Sequence, residues 1–392
     1  MLNTNAVTLS LPAGFRSYVT NVGVKDSTKD FTVVAADTPC AAAGVFTQSR
    51  FAGPSVLVSR EHLADRKAQA VVVISKNANV ATGPEGARHA AEITASVAAR
   101  LGLHASDVLI ASTGVIGRLY PIERIRTGIA DLPVPLPSDD AEEVAMGIMT
   151  TDTVHKISSA QIEGSSARIV GVAKGVGMIE PNMATLIAMA FTDAALSSED
   201  LDSIFRRVIN RTLNCVSVDT DTSTSDTAII LASGKAGAVN LQAFETALES
   251  VLLDLTKKIA RDGEGAETLI EVRVDAARDV EQAKTVAKAI VNSPLVKTAI
   301  HGADPNWGRV AMAVGKCSQY TDINQDNVVI RFGTQEVYPT AVSEQGLEQL
   351  STYMRGDDVL IHVSLKTGAA SATVWGCDLT DGYVRINADY TT

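Results

Sequence analysis

A segment containing glycine and proline, residues 175–186, delivers a threonine, Thr185, to the first position of an apolar run. If the preceding peptide bond is cut, this threonine carries a hydroxyl nucleophile and its own α-amino group in one residue. The pKa of a free α-amino group is about 7.7–8.0, so this amine can take the hydroxyl proton near neutral pH. The chemistry that the residues offer is therefore self-cleavage between Ala184 and Thr185. By composition alone, an ordinary strand threonine after a loop is the better interpretation.

Other motifs point to chemistry less clearly. Residues 174–180 begin like a dinucleotide-binding fingerprint, but Glu180 occupies the third glycine position and would repel a pyrophosphate. Residues 219–227 are rich in Ser, Thr and Asp, which favour caps and turns, and they lack the glycine and terminal glutamate of an EF-hand. The histidines are scattered and no Cys-x-x-Cys pair occurs, so neither a zinc ribbon nor a thioredoxin-type site is supported.

Composition and charge exclude several classes of protein. Of 392 residues, 46% are hydrophobic, which excludes global disorder and predicts two or three hydrophobic cores. The net charge of −11 argues against a nucleic-acid-binding protein, which normally carries a basic excess. No apolar run is long enough for a membrane span, and residues 1–15 do not resemble a signal peptide. We therefore expect a cytoplasmic protein with reduced cysteines and no membrane partner.

The periodicity of apolar residues predicts the elements that position these motifs. Strands are predicted at residues 31–34, 55–58, 70–75, 107–111, 185–191, 227–232 and 269–274, and helices at residues 84–103, 121–132, 140–149, 198–213, 241–259 and 280–291. The last fifth is predicted to be mostly β, with strands at residues 328–331, 359–365 and 372–375. Since the elements mix without strict βαβ alternation, we expect an α+β fold of layered sheets and helices.

Several blocks of residues, in order along the chain, carry a specific resemblance. They are residues 112–117, 149–153, 174–185, 219–227, 262–266, 292–299, 304–309 and 387–392. Together they resemble the ornithine acetyltransferases of arginine biosynthesis, also called glutamate N-acetyltransferases. The amino-acid sequences of these blocks most resemble those of actinobacterial members found in antibiotic gene clusters, such as that for clavulanic acid. Ala303 departs from the cysteine often found there, at a position with no catalytic role attached.

The resemblance implies a self-cleaving, N-terminal-nucleophile protein with a layered α+β sandwich fold. Its α chain would be residues 1–184 and its β chain residues 185–392, and the two chains would stay associated, usually as an α2β2 assembly. The implied reaction moves acetyl from N2-acetylornithine to glutamate through an acetyl-threonine enzyme. The resemblance implies neither a metal nor an organic cofactor.

The resemblance also implies roles for individual residues. Thr185 would be the nucleophile, with Thr113 and Gly114 forming the oxyanion hole, because glycine permits a turn that aims an N–H inward. Lys174 maps to a substrate-binding lysine that suits an α-carboxylate. Glu264 would attract the δ-ammonium group of ornithine or orient the Thr185 amine. The other implied substrate contacts are Asn387 and Thr392 in the C-terminal tail and one of Thr151 and Thr153, with the choice between these two threonines left open.

Two other function classes stay open. Related self-cleaving folds act as aminopeptidases or amide hydrolases, in which water replaces glutamate as the acyl acceptor. The blocks at residues 304–309 and 387–392 favour the transferase. A binding protein on an inactive scaffold is disfavoured because Thr185, its glycine-rich loop and Thr113-Gly114 are all present. The sequence leaves open whether acetyl-CoA also serves as a donor and which amino acid is the physiological acceptor.

Overall fold

The computed structural model describes residues 9–25, 27–180 and 186–389 of the chain. Three of the predicted site residues, Ala184, Thr185 and Thr392, lie outside the described residues. The predicted boundary between an α chain and a β chain falls in the same gap, so it remains a prediction.

A large mixed sheet forms the centre of the described structure. Its strands are β1 (Phe15–Thr20), β2 (Phe31–Phe46), β3 (Lys67–Ile74), β4 (Val108–Ser112), β5 (Lys156–Gln161), β6 (Arg168–Lys174), β7 (Ile187–Ala195) and β8 (Thr227–Ala238). Their spatial order is β4-β3-β2-β8-β7-β6-β5, and β1 pairs with β2. The antiparallel strands β6 and β7 flank the Thr185 segment, and their register sets Lys174 opposite Ile187. The sheet therefore fixes both ends of the segment that contains the predicted cleavage site.

Helices cover both faces of this sheet because successive strand residues point to opposite sides. They are α1 (Pro54–His62), α2 (Gly83–Leu101), α3 (Ile122–Ala130), α4 (Ala141–Gly147), α5 (Ser198–Arg211) and α6 (Leu241–Arg261). On β8, Ile229 and Leu231 share a core with α4, whereas Ile230 faces the core that contains α5 and α6. A third cluster joins β3 and β4 to α2 and α3. The buried apolar residues that the structure describes thus form three clusters, in line with the two or three cores predicted.

A second, five-stranded sheet packs beside the first. Its strands are β9 (Leu269–Ala277), β10 (Val329–Phe332), β11 (Gln335–Tyr338), β12 (Asp358–Ser364) and β13 (Ala370–Cys377), in the order β11-β10-β12-β9-β13. The remaining helices are α7 (Val280–Val291), α8 (Pro294–His301), α9 (Trp307–Gly315), α10 (Glu344–Met354) and α11 (Asp381–Asp389). Helix α6 contacts strands of both sheets, which makes a layered α+β architecture and confirms the predicted fold class.

Two predictions of secondary structure are wrong. Residues 55–58 are helical in α1, because Pro54 starts the helix and its buried serines bind neighbouring elements. The Ser59 hydroxyl, for example, donates to the carbonyl oxygen of Ile110 at 2.6 Å. The last fifth is less purely β than predicted, since α10 and α11 also lie there. No helix among the described residues has the length and apolar character that crossing a bilayer requires.

Candidate active site

A pocket of about 270 Å³ opens where the β4 end, the β6 end and helix α11 meet. It is lined by Thr113, Gly114, Ile116, Thr150, Thr151, Lys174, Gly177, Met178, Asp219, Asp221, Ser223, Thr224, Ser225, Glu264, Tyr383 and Asn387. Its size is near the lower end for small-molecule sites, which suits an amino acid more than a nucleotide. Five of the predicted site residues therefore lie on one pocket despite their wide separation in sequence, and Thr151 is a sixth.

The Thr113-Gly114 turn follows directly from the end of β4. The Thr113 N–H donates to the carbonyl oxygen of Ile74, which keeps the turn against β3. Gly114 has φ +128°, and a Cβ placed there would lie 2.2 Å from the carbonyl carbon of Lys76. Only glycine fits this conformation and this approach of two backbones. The close fit fixes the turn at the pocket wall, as an oxyanion site requires.

Lys174 is the last residue of β6, and it is buried at 6% exposure rather than solvated. Its Nζ donates to the hydroxyl oxygen of Thr113 at 3.3 Å, so the lysine and the predicted oxyanion turn are direct neighbours. Burial lowers the pKa of Lys174 below its usual value, and the nearby carboxylates of Asp152, Asp226 and Glu264 oppose this change. The pocket therefore has a cation in its wall that is poorly solvated and surrounded by acids.

A buried ionic cluster lies next to Lys174 and contacts the chain at the following residue, Gly175. We call it the Asp152–Lys156–Asp262 cluster. The Lys156 Nζ donates to Asp152 at 2.7 Å and to Asp262 at 2.5 Å, and the lysine side chain is completely buried. Asp152 also accepts the N–H of Gly175 at 2.7 Å. Burial raises the pKa of Asp152, but the charges of Lys174 and Lys156 outweigh this effect, so its pKa lies below the usual value.

The sequence analysis missed this cluster, although Asp152 and Asp262 belong to blocks that it identified. Asp152 and Lys156 are four residues apart, but they lie at the entry to a strand, and Asp262 is contributed by the end of α6. A buried lysine cannot be distinguished from a surface lysine by its neighbours in sequence. Only the tertiary structure brings these three charges together.

Thr151 and Thr153 occupy different environments. Thr151 lines the pocket, whereas the Thr153 N–H and hydroxyl both donate to the Asp262 carboxylate. Thr153 thus belongs to the shell of the ionic cluster. This placement favours Thr151 as the residue that contacts substrate.

Glu264 faces the pocket from the turn that follows α6. Its Oε2 accepts the side-chain N–H of Asn387 at 2.8 Å, and its own N–H donates to the carbonyl oxygen of Val176. Burial raises the pKa of Glu264, Asn387 and Lys174 lower it, and the nearby Asp219 carboxylate raises it further. A Cβ at Gly177 would lie 2.5 Å from the Glu264 carboxyl carbon, so the glycine leaves room for this side chain.

The C-terminal tail is helical through Asp389, which is how Asn387 reaches Glu264. Gly265 has φ +70°, and a Cβ there would lie 2.4 Å from the backbone nitrogen of Tyr383. This close approach brings the start of α11 against the Glu264 turn. The tail therefore contributes Tyr383 and Asn387 to the pocket wall.

Asp219 holds the loop that leads to the predicted cleavage site. Its carboxylate accepts the N–H groups of Met178 at 2.5 Å and Ile179 at 2.7 Å. Met178 has φ +58°, a conformation that non-glycine residues rarely adopt, and the two hydrogen bonds hold it there. The sequence analysis saw only a run typical of turns in residues 219–227, so the role of Asp219 was not predicted.

Another acidic cluster lies outside the pocket. Glu267, His301 and Asp378 approach one another closely enough to hold a cation. However, Asp378 accepts the backbone N–H groups of Glu267 and Thr268 through one oxygen and contacts His301 through the other. These contacts satisfy the only buried member of the cluster, so its structural role is already accounted for.

The ionic groups of the pocket limit what can bind. Its lining residues include one cation, Lys174, and three acids, Asp219, Asp221 and Glu264. A ligand that carries both a carboxylate and an ammonium group matches this arrangement, because each of its charges meets an opposite one.

Comparison with known proteins gives a consistent result. The ArgJ family model matches residues 16–392 of the chain. A protein of a Nostoc species, "Arginine biosynthesis bifunctional protein ArgJ 2", is 57% identical over 383 residues, covering 98% of each chain. "Glutamate N-acetyltransferase Oat2" of Streptomyces clavuligerus is 53% identical over 387 residues, covering 97% of this chain and 98% of the relative. Among solved structures, the bifunctional protein argJ of Bacillus halodurans is 41% identical, with a TM-score of 0.48. The aligned region covers 50% of this chain and 96% of the chain in that solved structure.

Proposed function

The chain belongs to the ArgJ family, and we propose that it is a self-processing ornithine acetyltransferase that moves acetyl from N2-acetylornithine to glutamate. The observation that carries the proposal is the pocket that joins Thr113-Gly114, Lys174, Glu264 and Asn387. These four groups come from both sides of the predicted cleavage site. Their charges match small amino-acid substrates that bear a carboxylate and an ammonium group.

Thr185 is the proposed nucleophile of both self-cleavage and acetyl transfer. Its position two residues before Ile187, which pairs with Lys174, supports the assignment. In each step an oxyanion forms, and the Thr113-Gly114 turn is the proposed donor site. Loss of one such donor typically lowers the rate by about 10²–10³-fold.

Lys174 is proposed to bind the α-carboxylate that the acetyl donor and the acceptor share. Its burial at the pocket wall strengthens such an interaction, because solvent screens it little. Glu264 is proposed to attract the δ-ammonium group of ornithine, with Asn387 orienting its carboxylate. The alternative role for Glu264, orienting the Thr185 amine, predicts an equal loss in both half-reactions when the carboxylate is removed. Thr392 is kept as a proposed substrate contact of the tail.

The proposed mature protein consists of chains 1–184 and 185–392, associated as α2β2 in the cytoplasm, with no metal or organic cofactor. Hydrogen bonding between β6 and β7, and between β2 and β8, supports lasting association of the two chains. The narrower proposal of an antibiotic-cluster member is supported by the identity to the Streptomyces clavuligerus relative, although the Nostoc relative is more similar. The proposal is tested by identifying the genes next to the gene for this protein, which should encode other enzymes of antibiotic biosynthesis.

The deciding experiment measures acetyl transfer from N2-acetylornithine to glutamate and, on the same preparation, the masses of the denatured chains. We expect two fragments that meet between Ala184 and Thr185, and transfer that Thr185→Ala abolishes together with cleavage. An intact chain in freshly purified, active protein would overturn the nucleophile assignment. A parallel assay with acetyl-CoA in place of N2-acetylornithine shows whether the enzyme also transfers acetyl from acetyl-CoA to glutamate.

Hydrolysis of acyl or peptide substrates is the alternative outcome. It is separated by following acetate release in the absence of glutamate. Rapid release of acetate that added glutamate does not divert into acetylglutamate would favour a hydrolase.

A further inference from the structure

Three buried hydroxyl groups meet at the base of the loop that carries the Thr113-Gly114 turn. Ser112 ends β4 and directly precedes the turn, Ser55 lies at the start of α1, and Tyr120 lies shortly before α3. All three residues are only 2–3% exposed. The Ser55 Oγ is 2.8 Å from the Ser112 Oγ and 2.9 Å from the Tyr120 hydroxyl oxygen, and Ser112 and Tyr120 are also hydrogen bonded to each other. We call these residues the Ser55–Ser112–Tyr120 cluster.

The three hydroxyls satisfy one another. Each hydroxyl has one proton to donate and two lone pairs that accept, so three hydroxyls in mutual contact can each donate once and accept once. None of the three is a buried atom without a partner. Burial raises the pKa of Tyr120 above its usual value of 10.0, and hydrogen bonds with Ser112, Ser55 and Asn79 oppose this change. The Tyr120 hydroxyl therefore keeps its proton at neutral pH.

The contact between Ser112 and Tyr120 closes the loop formed by residues 113–119. The chain leaves β4 at Ser112, passes through the turn and returns at Tyr120, eight residues later. Within the loop, the Gly117 N–H donates to the carbonyl oxygen of Val80 at 2.8 Å, which holds the middle of the loop to a neighbouring segment. The cluster instead joins the two ends of the loop to each other and to α1.

The loop carries groups that face the pocket. Thr113, Gly114 and Ile116 line it, and the Lys174 Nζ donates to the Thr113 hydroxyl oxygen at 3.3 Å. Because Thr113 directly follows Ser112, a shift of Ser112 moves the turn relative to Lys174. An oxyanion donor is effective only when it is aimed at the position where the negative charge develops. The turn therefore requires a rigid base.

The cluster is not needed to join α1 to β4. Ser59, one helical turn further along α1, already does so, because its Oγ donates to the carbonyl oxygen of Ile110 at 2.6 Å and accepts the Ile110 N–H at 2.7 Å. What the cluster adds is the connection from this helix and strand to Tyr120, at the far end of the loop.

We propose that Tyr120 is a positioning residue for the Thr113-Gly114 turn and acts through Ser112 and Ser55, an inference that rests on the proposed function. The described residues that line the pocket do not include Tyr120, so it acts on the turn and not on the substrate. The charged groups of the pocket, Lys174 and Glu264, are held by other elements. Loss of the Tyr120 hydroxyl should therefore lower turnover more than substrate binding.

The test first follows cutting of the newly made chain and then measures kcat and KM of the cut enzyme for acetyl transfer from N2-acetylornithine to glutamate. Tyr120→Phe removes the hydroxyl but keeps the buried ring, so the fold should persist. We expect kcat to fall by about 10–10²-fold, since a small misplacement of a catalytic group has effects of this size. KM for N2-acetylornithine should stay within a few-fold of the wild-type value. Slower cutting also supports the proposal, because the turn is the proposed donor site in both reactions.

Ser59→Ala is the matched control, because it removes a buried hydroxyl from the same helix that contacts the same strand two residues before Ser112. It should lower the midpoint of thermal unfolding at least as much as Tyr120→Phe does and leave kcat unchanged. Ser55→Ala should lower kcat. The double variant of Ser55 and Tyr120 should lose less than the product of the two single losses, because residues of one hydrogen-bond network are coupled.

Several results would overturn the positioning role. They are wild-type kcat and cutting in Tyr120→Phe, an equal fall of kcat in Ser59→Ala, a loss confined to KM, and independent losses in the double variant. If the wild-type protein is neither cut nor able to transfer acetyl, the proposed function fails and this inference fails with it. If the wild-type protein does both and Tyr120→Phe matches it, only the role of Tyr120 is wrong.

Discussion

The buried acids near Lys174 differ in whether their carboxyl groups have partners. In the Asp152–Lys156–Asp262 cluster each carboxylate is paired with a lysine and also accepts backbone N–H groups. Asp226 is just as buried, but its carboxyl oxygens have no hydrogen-bond partner among the described residues. Burial alone therefore does not decide the direction in which folding shifts the pKa of an acid, because the partners supplied by the fold can outweigh it.

The contrast separates acids that hold neighbouring segments in place from an acid that makes no such contact. The paired acids hold Gly175 and the Thr150–Thr153 segment in place, so their removal should loosen the pocket. The carboxyl oxygens of Asp226 accept no hydrogen bond among the described residues, so its replacement should spare the fold. Each prediction below tests one side of this difference, beginning with the largest expected effect.

Lys156→Met should destabilise the protein most. The substitution leaves two buried carboxylates without their shared cation, and breaking a buried pair in this way costs about 3–5 kcal/mol. Urea unfolding measures the loss. Lys235→Met is the matched control, because Lys235 pairs with Asp37 at the surface and should lose about 1 kcal/mol or less. Equal losses in both variants would show that the cluster contributes no more than a surface pair.

Asp152→Asn and Asp226→Asn should have opposite effects on the free energy of unfolding. Both are made in a Thr185→Ala background, so that differences in cleavage do not enter the comparison. Asp152→Asn removes hydrogen bonds made by a charged group and should cost about 1.5–3 kcal/mol at neutral pH. Asp226→Asn should be neutral or stabilising, because it removes a carboxyl group whose pKa is raised by burial and whose ionisation the fold therefore disfavours. A large loss of stability in Asp226→Asn would contradict the contrast.

The change in the free energy of unfolding caused by Asp226→Asn and by Asp152→Asn should depend on pH in different ways. The pKa of Asp226 is raised by folding, so its contribution is lost as pH rises above the ordinary aspartate value of 3.8. The advantage of Asp226→Asn over its parent should therefore grow from about pH 4 upward, by about 1.4 kcal/mol per pH unit until the folded group ionises. The pKa of Asp152 is lowered, so the deficit of Asp152→Asn should shrink as pH falls below 3.8. Unfolding titrations at several pH values measure both trends, and two flat differences would refute the assignment.

Gly177→Ala should have the smallest effect and should act on substrate binding. The added methyl group would approach the Glu264 carboxyl carbon to 2.5 Å and displace that side chain from Asn387. We expect KM for N2-acetylornithine to rise several-fold with little change in stability, because a flexible carboxylate can move aside. Gly315→Ala is the control, since a Cβ there meets no atom within 4 Å. Unchanged KM in Gly177→Ala would argue against Glu264 as a substrate contact.

The sequence predicted most of the elements because apolar periodicity is a local property. It succeeded for α7, predicted at residues 280–291. It failed for α1, because the apolar residues 56–58 are typical of a strand, whereas the face that this helix buries includes the polar residues Ser55 and Ser59. The pocket residues Thr113, Gly114, Lys174, Glu264 and Asn387 were identified through the family resemblance, and the structure brings them together. Lys156 and Asp226 were missed because their significance lies in partners gained or lacking in three dimensions.

The order of strands in the large sheet has a kinetic consequence for the proposed two-chain enzyme, with residues 1–184 as its first segment and residues 185–392 as its second. Strands β8 and β7, from the second segment, are inserted between β2 and β6 of the first, so two hydrogen-bonded seams join the segments. If the chain is cut at the proposed site, neither segment can leave without opening both seams. Unfolding then becomes a dissociation into two molecules, and its midpoint temperature should depend on protein concentration. To reassemble, the two separated segments would have to meet and insert β7 and β8 between β2 and β6. Thermal inactivation of the two-chain enzyme should therefore be governed by the rate of unfolding rather than by an equilibrium.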